Sequence, residues 1–257
     1  MKEIVIIGSG NLAESLAVAV AAAPELRLVQ LFARNEARGR EVAALAGTAW
    51  CGDAAQLARA ELYLIAVSDR AVAEVAAQLP IPAGAAVAHT AGCVPLDVLP
   101  YERRAVFYPM QTFTRGRRVD FAEIPIFVEA STPALCDELE ACARCLSRRV
   151  VRSDSARRAR IHLAAVFACN FANHMYALGE RIVRDAGLDF GVLKPLVMET
   201  ARKACDAPSP SDVQTGPAVR GDLATQQRHL DLLGGDENLQ EIYKLISKEI
   251  WETSRKI

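Results

Sequence analysis

The N-terminal part of the chain alternates short, unbroken apolar runs with stretches in which apolar residues recur at helical spacing. Unbroken runs rich in Val and Ile are typical of strands buried on both faces, as the central strands of a parallel sheet are. The predicted strands are residues 4–7, 26–32, 48–50, 62–67, 85–89, 105–108, 124–128 and 150–151. Pro125 predicts that the seventh of them lies toward an edge of the sheet, because proline cannot donate to the ladder.

After residue 153 the strand signals vanish and helical spacing continues. The predicted helices are residues 153–185, 189–205, 222–233 and 236–254. Residues 208–222 form a long connection that is too rich in Pro and Gly for a helix. The pattern therefore predicts an α/β fold: an N-terminal, doubly wound parallel sheet over residues 1–152, followed by an all-α helical domain over residues 153–257. Because these helices are very apolar, we expect homodimerisation through residues after 153.

Composition and charge narrow the classes of protein. With 257 residues, the chain is long enough for two domains that each have a core. A net charge of −1 argues against binding to nucleic acid, and no apolar stretch approaches the roughly 18 residues that a membrane span needs. Lys2 is the only basic residue before the first predicted strand, so we expect no signal peptide and a cytoplasmic location.

The seven cysteines are odd in number and scattered, which is typical of reduced cytoplasmic thiols. Cys142 and Cys145 form a C-x-x-C pair, a pattern found in redox and zinc sites. However, Cys142 continues a helical apolar stripe with Leu135, Leu139 and Leu146, and no second pair completes a metal site. We therefore expect a core position for Cys142 and no bound metal.

The strongest chemical signal is the Gly-x-Gly-x-x-Ala sequence directly after the first predicted strand, the context of Rossmann dinucleotide-binding sites. Gly8 permits the tight turn, Gly10 lets a pyrophosphate approach the backbone, and Ala13 lets helix and strand pack closely. The free N–H groups and the positive dipole end of the helix favour a phosphate. The alternative is an ordinary strand–turn–helix with small residues. The candidate nucleotide-binding residues are Gly8, Ser9, Gly10, Asn11, Leu12 and Ala13.

Two strand ends supply further candidates for cofactor binding. In NAD-specific sites an acidic residue at the end of the second strand binds the ribose hydroxyls, whereas Arg34 stands at this place here. Its charge and its fork of donors suit a 2′-phosphate, so NADP is the predicted cofactor. Glu36 is close enough to keep NAD as the alternative, and Arg34 as a solvated helix-start residue is another. Ser68, after the strand 62–67, is predicted to lie beside the cofactor crevice.

Four polar residues are candidates for catalysis. His89 ends a strand, and ligands of open α/β sheets bind outside the carboxyl ends of strands; the alternative for His89 is a local hydrogen bond. On the first long helix, His162, Asn170 and Asn173 fall within an arc of about 80° among apolar neighbours, at about 100° per residue. Either they form a buried polar seam, or the helix lines a substrate pocket. In that pocket His162 would donate the proton and the two asparagines would hold the substrate oxygen.

The loop of residues 215–222 is the candidate for substrate binding. Its two glycines allow unusual backbone turns. Arg220 offers a bidentate contact to a carboxylate, with a surface salt bridge as its alternative role, and Thr215 begins the same loop. We expect Asp222 to cap the helix that follows.

Several of these motifs resemble a known family. Residues 8–13 resemble the opening of pyrroline carboxylate reductases and of deazaflavin-dependent NADP oxidoreductases. Residues 89–92, 108–113, 162–174 and 215–222 together resemble bacterial proteins that pair a Rossmann-like domain with a helical domain of unknown function. The resemblance covers nearly the whole chain. It implies an NADP-dependent oxidoreductase and a cytoplasmic homodimer, with a helical domain similar to the C-terminal domain of phosphogluconate dehydrogenase.

One departure from the wider superfamily concerns the catalytic lysine of its hydroxyacid dehydrogenases, which stands four residues before an asparagine on this helix. Val166 and Cys169 occupy that place relative to Asn170 and Asn173, and neither transfers a proton as lysine does. The resemblance to the superfamily therefore does not imply hydroxyacid dehydrogenase activity for this chain. We expect hydride transfer to or from a small polar carbonyl or imine, with a histidine as the acid; the alternative is a non-catalytic NADP-binding or sensing protein.

Overall fold

The computed structural model describes residues 1–255, which divide into two compact units. The first unit is Met1–Ala172 and the second begins at Asn173. The helix Ser155–Ala165 belongs to the first unit, whereas the expected boundary at 152/153 assigns it to the second. No helix of the described residues is long and apolar enough to cross a membrane.

An eight-stranded sheet forms the centre of the first unit. Its strands are β1 (Glu3–Ile7), β2 (Arg27–Phe32), β3 (Ala49–Cys51), β4 (Leu62–Ile65), β5 (Ala86–His89), β6 (Arg104–Pro109), β7 (Ile126–Ala130) and β8 (Val150–Arg152). Their order across the sheet is β3-β2-β1-β4-β5-β6-β7-β8, and neighbours are parallel except for β6 and β7. The predicted α/β fold is confirmed, with one antiparallel pair that apolar runs alone do not reveal.

The position of β7 differs from the prediction. It lies between β6 and β8, inside the sheet rather than toward an edge. Pro125 precedes the first residue of the strand, and its carbonyl accepts a hydrogen bond from the Met110 N–H at 2.9 Å. Its missing N–H therefore interrupts no strand ladder, and proline at this point is compatible with an interior strand.

Helices cover both faces of the sheet. They are α1 (Asn11–Ala22), α2 (Glu36–Leu45), α3 (Val72–Gln78), α4 (Pro133–Arg144) and α5 (Ser155–Ala165), followed by a π-helical segment, Val166–Phe171. Ile4 and Ile6 of β1 lie in one buried cluster with α1, α2 and α4, whereas Val5 and Ile7 lie in the cluster with α3. Both faces of β1 are buried, which explains its unbroken apolar run. Cys142 of α4 is in the core, as predicted.

The second unit is helical. Its helices are α6 (Ala172–Asp185), α7 (Lys194–Asp206), α8 (Leu223–Leu232) and α9 (Glu237–Ser254), the first of which begins one residue before the division. Asp222 caps α8 by accepting a hydrogen bond from the Thr225 N–H at 3.0 Å, as predicted. The connection between α7 and α8 contains a short 3₁₀ turn, Pro210–Val213, and the residues Gly216 and Gly221, both at positive φ.

Candidate functional site

The turn between β1 and α1 has the geometry of a phosphate-binding loop. Gly8 has φ +125°, and a Cβ there would collide with the Ala66 carbonyl oxygen, so only glycine fits. Around Gly10 nothing lies within 4 Å of a built Cβ, which leaves its backbone open to approach. Gly10 starts α1 without any side-chain cap, so the N–H groups of the first turn stay free. These residues fit the phosphates of a dinucleotide.

Two adjoining clefts open at this turn. The first, of about 520 Å³, is lined by Gly8, Ser9, Arg34 and Asn35 together with apolar residues such as Phe32. The second, of about 360 Å³, lies between residues 8–12 and residues 66–68, which follow β1 and β4. These two strands are neighbours from which the chain continues to opposite sides, the switch point where open α/β sheets bind ligands. The predicted residues Gly8 to Leu12, Arg34 and Ser68 are therefore brought together, and Ala13 is buried beneath them.

Arg34 presents its guanidinium to the larger cleft. The side chain is 73 % exposed, and its nearest acidic atom, Glu74 Oε1, is 4.0 Å away. Glu36, the residue that kept NAD as an alternative, pairs its carboxylate with Arg40 Nε at 2.9 Å. The Arg34 guanidinium therefore lines the cleft at the end of β2, whereas the Glu36 carboxylate is paired with Arg40.

A largely shielded ion pair lies beneath the turn and was not predicted from the sequence. Arg38 of α2 pairs with Glu14 of α1, and its Nε donates to the Ser9 carbonyl at 3.2 Å. Glu14 Oε1 also accepts a hydrogen bond from the Gly116 N–H at 3.0 Å. The charge of the Glu14 carboxylate is thereby paired with a guanidinium instead of opposing a phosphate at the start of α1. The available signal was an acidic residue in the first turn of α1; because this residue is buried, its carboxylate needs a cationic partner.

His89 has a local role. Its ring is fully buried; Nδ1 accepts from the Ala91 N–H at 3.2 Å, and Nε2 is 3.4 Å from the Pro95 carbonyl, to which it donates in this tautomer. Burial first, and then the charge of Arg158, lower the pKa of His89 to about 4. A neutral ring with both nitrogens engaged is a poor proton donor. The alternative of a locally bonded histidine describes His89 better than the expected catalytic role.

His162 of α5 lies at the same edge of the sheet, beside a residue that the sequence analysis did not single out. The hydroxyl of Tyr108, at the carboxyl end of β6, is 2.9 Å from His162 Nδ1. Gly92, three residues after β5, makes room for the ring, because a Cβ there would lie 2.5 Å from Nδ1. His162 is half-buried, and its Nε2 has no hydrogen-bond partner within the first unit. A tyrosine at the end of a predicted strand was the signal for Tyr108.

The expected polar arc on the long helix needs correction. Residues Val166–Phe171 are π-helical, so the 100° step per residue used for the arc does not hold beyond Ala165. Asn170 lies in this segment and is exposed, and so is Asn173, the first residue of the second unit. Neither asparagine belongs to a buried polar seam. π-Helical turns are frequent at functional sites, which keeps Asn170 a candidate.

The remaining predicted residues belong to the second unit. Thr215 and Arg220 are both exposed. Thr215 lines an apolar cavity of about 400 Å³, whose wall also carries His229 and Tyr243, joined by a 2.9 Å hydrogen bond. This loop offers polar groups for a ligand.

Comparison with known proteins shows to which family the chain belongs. Residues 3–90 match the family described as NADP oxidoreductase, coenzyme F420-dependent, and residues 124–250 match a domain of unknown function, DUF2520. Among solved structures, the putative NADP oxidoreductase BF3122 from Bacteroides fragilis is 42 % identical over 98 % of both chains, with a TM-score of 0.90. The chain belongs to the NADP oxidoreductase family. The predicted family is thus confirmed, and with it NADP as the cofactor of the family.

More distant structures share the fold of this NADP oxidoreductase family member. Protein TM1727 from Thermotoga maritima is 21 % identical over 98 % of both chains, with a TM-score of 0.76. An imine reductase from Myxococcus stipitatus in complex with NADP+ is 13 % identical, with a TM-score of 0.64, over 99 % of this chain and 93 % of that one. No curated protein matches the chain.

Proposed function

We propose that the chain is an NADPH-dependent reductase that transfers hydride to a small polar carbonyl or imine, with His162 as the proton donor. The observation that carries the proposal is the placement of His162. It lies at the sheet edge that also bears the Gly8–Leu12 turn, and one ring nitrogen is left without a partner in the first unit. A general acid needs a transferable proton on an atom that the substrate can approach, and this ring nitrogen could carry it.

The residues of the two clefts would hold the cofactor. The N–H groups of the first turn of α1 would bind the pyrophosphate, since helix N-termini favour anions. Arg34 would bind the 2′-phosphate by charge-assisted hydrogen bonds. Ser68 lines the smaller cleft and would contact the same ligand. When bound, the cofactor supplies the hydride.

Other residues of the chain would transfer the proton and bind the substrate. His162 would deliver the Nε2 proton to the carbonyl oxygen or imine nitrogen as negative charge develops there. The hydrogen-bond donors proposed for the substrate's polar groups are Asn170, Asn173, Thr215 and Arg220. The imine reductase that shares the fold motivates imines as one of the substrate classes.

We also propose that the protein is a cytoplasmic homodimer, as the resemblance implies. Large apolar side chains are exposed on several helices after residue 153. They include Leu163, Phe167, Phe171, Leu196, Met198, Leu232 and Leu245. Such exposure on one chain supports burial against another copy, because soluble monomers rarely expose large apolar patches.

The test of the catalytic proposal is a substrate screen followed by one substitution. A panel of small keto acids, imino acids and aldehydes is incubated with the protein, and loss of NADPH absorbance is measured. With an active substrate, His162→Ala should lower turnover by about 10²–10⁴-fold, the usual contribution of a general acid. NADPH affinity should hardly change, because His162 lines neither cofactor cleft.

Two outcomes would contradict the proposal. Full activity of His162→Ala on a reduced substrate would remove His162 as the acid. Tight NADPH binding without reduction of any substrate in a broad panel would instead favour the non-catalytic, sensing function.

A further inference from the structure

The Tyr108–His162 contact is built by three parts of the first unit. Tyr108 is buried near the end of β6, and its ring meets that of His162 edge-on, with centroids 5.9 Å apart. Gly92 provides the space for the imidazole. Arg158, one helical turn before His162, is buried and anchors α5 to the sheet through Glu129 of β7. The 2.9 Å separation of the Tyr108 hydroxyl and His162 Nδ1 is therefore held by packing from several sides.

The direction of this hydrogen bond follows from what the hydroxyl can do. Burial raises the pKa of Tyr108 to about 12, so the phenol keeps its proton. Within the first unit, Nδ1 is the only hydrogen-bond partner of the hydroxyl. If Nδ1 carried a hydrogen, the buried O–H would lose its acceptor, which is unfavourable. The phenol therefore donates, Nδ1 accepts, and the ring hydrogen resides on Nε2.

We infer that Tyr108 is a positioning residue: its hydroxyl donates to Nδ1 of His162, keeps the ring hydrogen on Nε2 and helps to replace that proton once it has been given to the substrate. This inference rests on the proposed role of His162 as the acid. As the Nε2 proton passes to the substrate oxygen or nitrogen, the phenol proton passes to Nδ1. Water then gives a proton to Nε2 and the Nδ1 proton returns to the phenolate, so both side chains regain their starting forms. Tyr108 thus acts through the imidazole, without touching the substrate.

Nuclear magnetic resonance tests the tautomer without any substrate. Long-range ¹H–¹⁵N spectra distinguish the two neutral forms of each histidine ring, and the chain has only four histidines. The signal of His162 is assigned by its loss in His162→Gln. We expect the Nε2–H form in the native protein, and a mixture of tautomers in Tyr108→Phe. Tyr243→Phe is the matched control, because it removes the same hydroxyl from the His229 pair and should alter His229 alone.

Kinetics supplies the second readout. With a working substrate, Tyr108→Phe should lower turnover about 10-fold or more, with less effect than the 10²–10⁴-fold expected for loss of the acid. Its rate should also fall more steeply toward alkaline pH than the native rate, because no phenol proton then reaches Nδ1 as Nε2 gives up its own. An Nδ1–H tautomer in the native protein, or an unchanged tautomer and pH profile in Tyr108→Phe, would overturn the inference. If the tautomer changes as expected but His162→Ala stays fully active, the proposed acid fails and the positioning of the ring stands.

Discussion

The Arg34 side chain is largely exposed, and its ion pair is weak. Its ion pair with Glu74, at 4.0 Å between exposed side chains, contributes little to stability, since exposed pairs are typically worth about 0–1 kcal/mol. The guanidinium is thus free to form charge-assisted hydrogen bonds with a phosphate in the adjoining cleft. Arg38, in contrast, is already committed to Glu14 and to the Ser9 carbonyl.

Removal of Arg34 should therefore change which cofactor binds. Hydrogen bonds to charged groups contribute about 1.5–3 kcal/mol, so Arg34→Ala should weaken NADPH binding by about 10–100-fold and leave NADH binding nearly unchanged. Titration calorimetry with both cofactors measures this. Arg40→Ala is the matched control, because it removes the same charge from a residue that pairs with Glu36 and covers Trp50. Equal affinities of the native protein for NADPH and NADH would contradict the role of Arg34.

At the scale of residues, the sequence could predict the role of residues for which that role follows from their position along the backbone. Gly8 could be recognised because its turn admits no side chain, and Arg34 because it stands where a strand ends. The role of His89 could not be settled, since its partners, the Ala91 N–H and the Pro95 carbonyl, depend on how the following loop folds back. Arg38 was missed because its partner Glu14 lies on another helix.

At the scale of elements, α5 is attached to the sheet by polar groups. Ser155 at its start donates to the Glu129 carboxylate at 3.0 Å and accepts from the Leu96 N–H at 3.1 Å. Arg158 is only 1 % exposed and reaches both Glu129 and the Val94 carbonyl. Apolar periodicity does not register such contacts, which is why the sequence assigned this helix to the second domain. The π-helical segment after α5 is likewise invisible to a pattern that assumes one helical step throughout.

The packing of α5 gives a test of stability. Gly92→Ala would place a Cβ 2.5 Å from His162 Nδ1, so the ring or the helix must shift. We expect a loss of about 1–3 kcal/mol in the free energy of unfolding, as overpacked sites show. Denaturant unfolding measures it. Gly235→Ala is the control, because nothing lies within 4 Å of its Cβ and its φ is not in the left-handed region. Equal stability of the two variants would show that the Gly92 site is not tightly packed around His162.

At the scale of the whole molecule, the exposed apolar side chains are concentrated in the part of the chain from α5 onwards. In the first unit before α5, Leu45 is the one exposed large apolar side chain, whereas the helices from α5 onwards bear many. Phe167 and Phe171 pack edge-on at 4.9 Å while both remain exposed. The sequence offered an indication of this surface, because the predicted helices after residue 153 are very apolar. It could not predict which side chains face a second copy, because an interface does not alter the period of a helix.

Dimerisation through these helices is the last prediction. Light scattering at micromolar concentration should give twice the mass of the chain. Phe167, 63 % exposed, is the side chain to change, because buried aromatic residues near the centre of an interface often contribute about 2 kcal/mol or more. Phe167→Glu should then weaken the dimer by at least about 30-fold, since 1.4 kcal/mol corresponds to tenfold. Leu45→Glu, at a side chain 57 % exposed and outside the predicted interface, should leave the mass unchanged. A native protein with the mass of a single chain would contradict dimerisation, and a dimeric Phe167→Glu would show that the interface lies elsewhere.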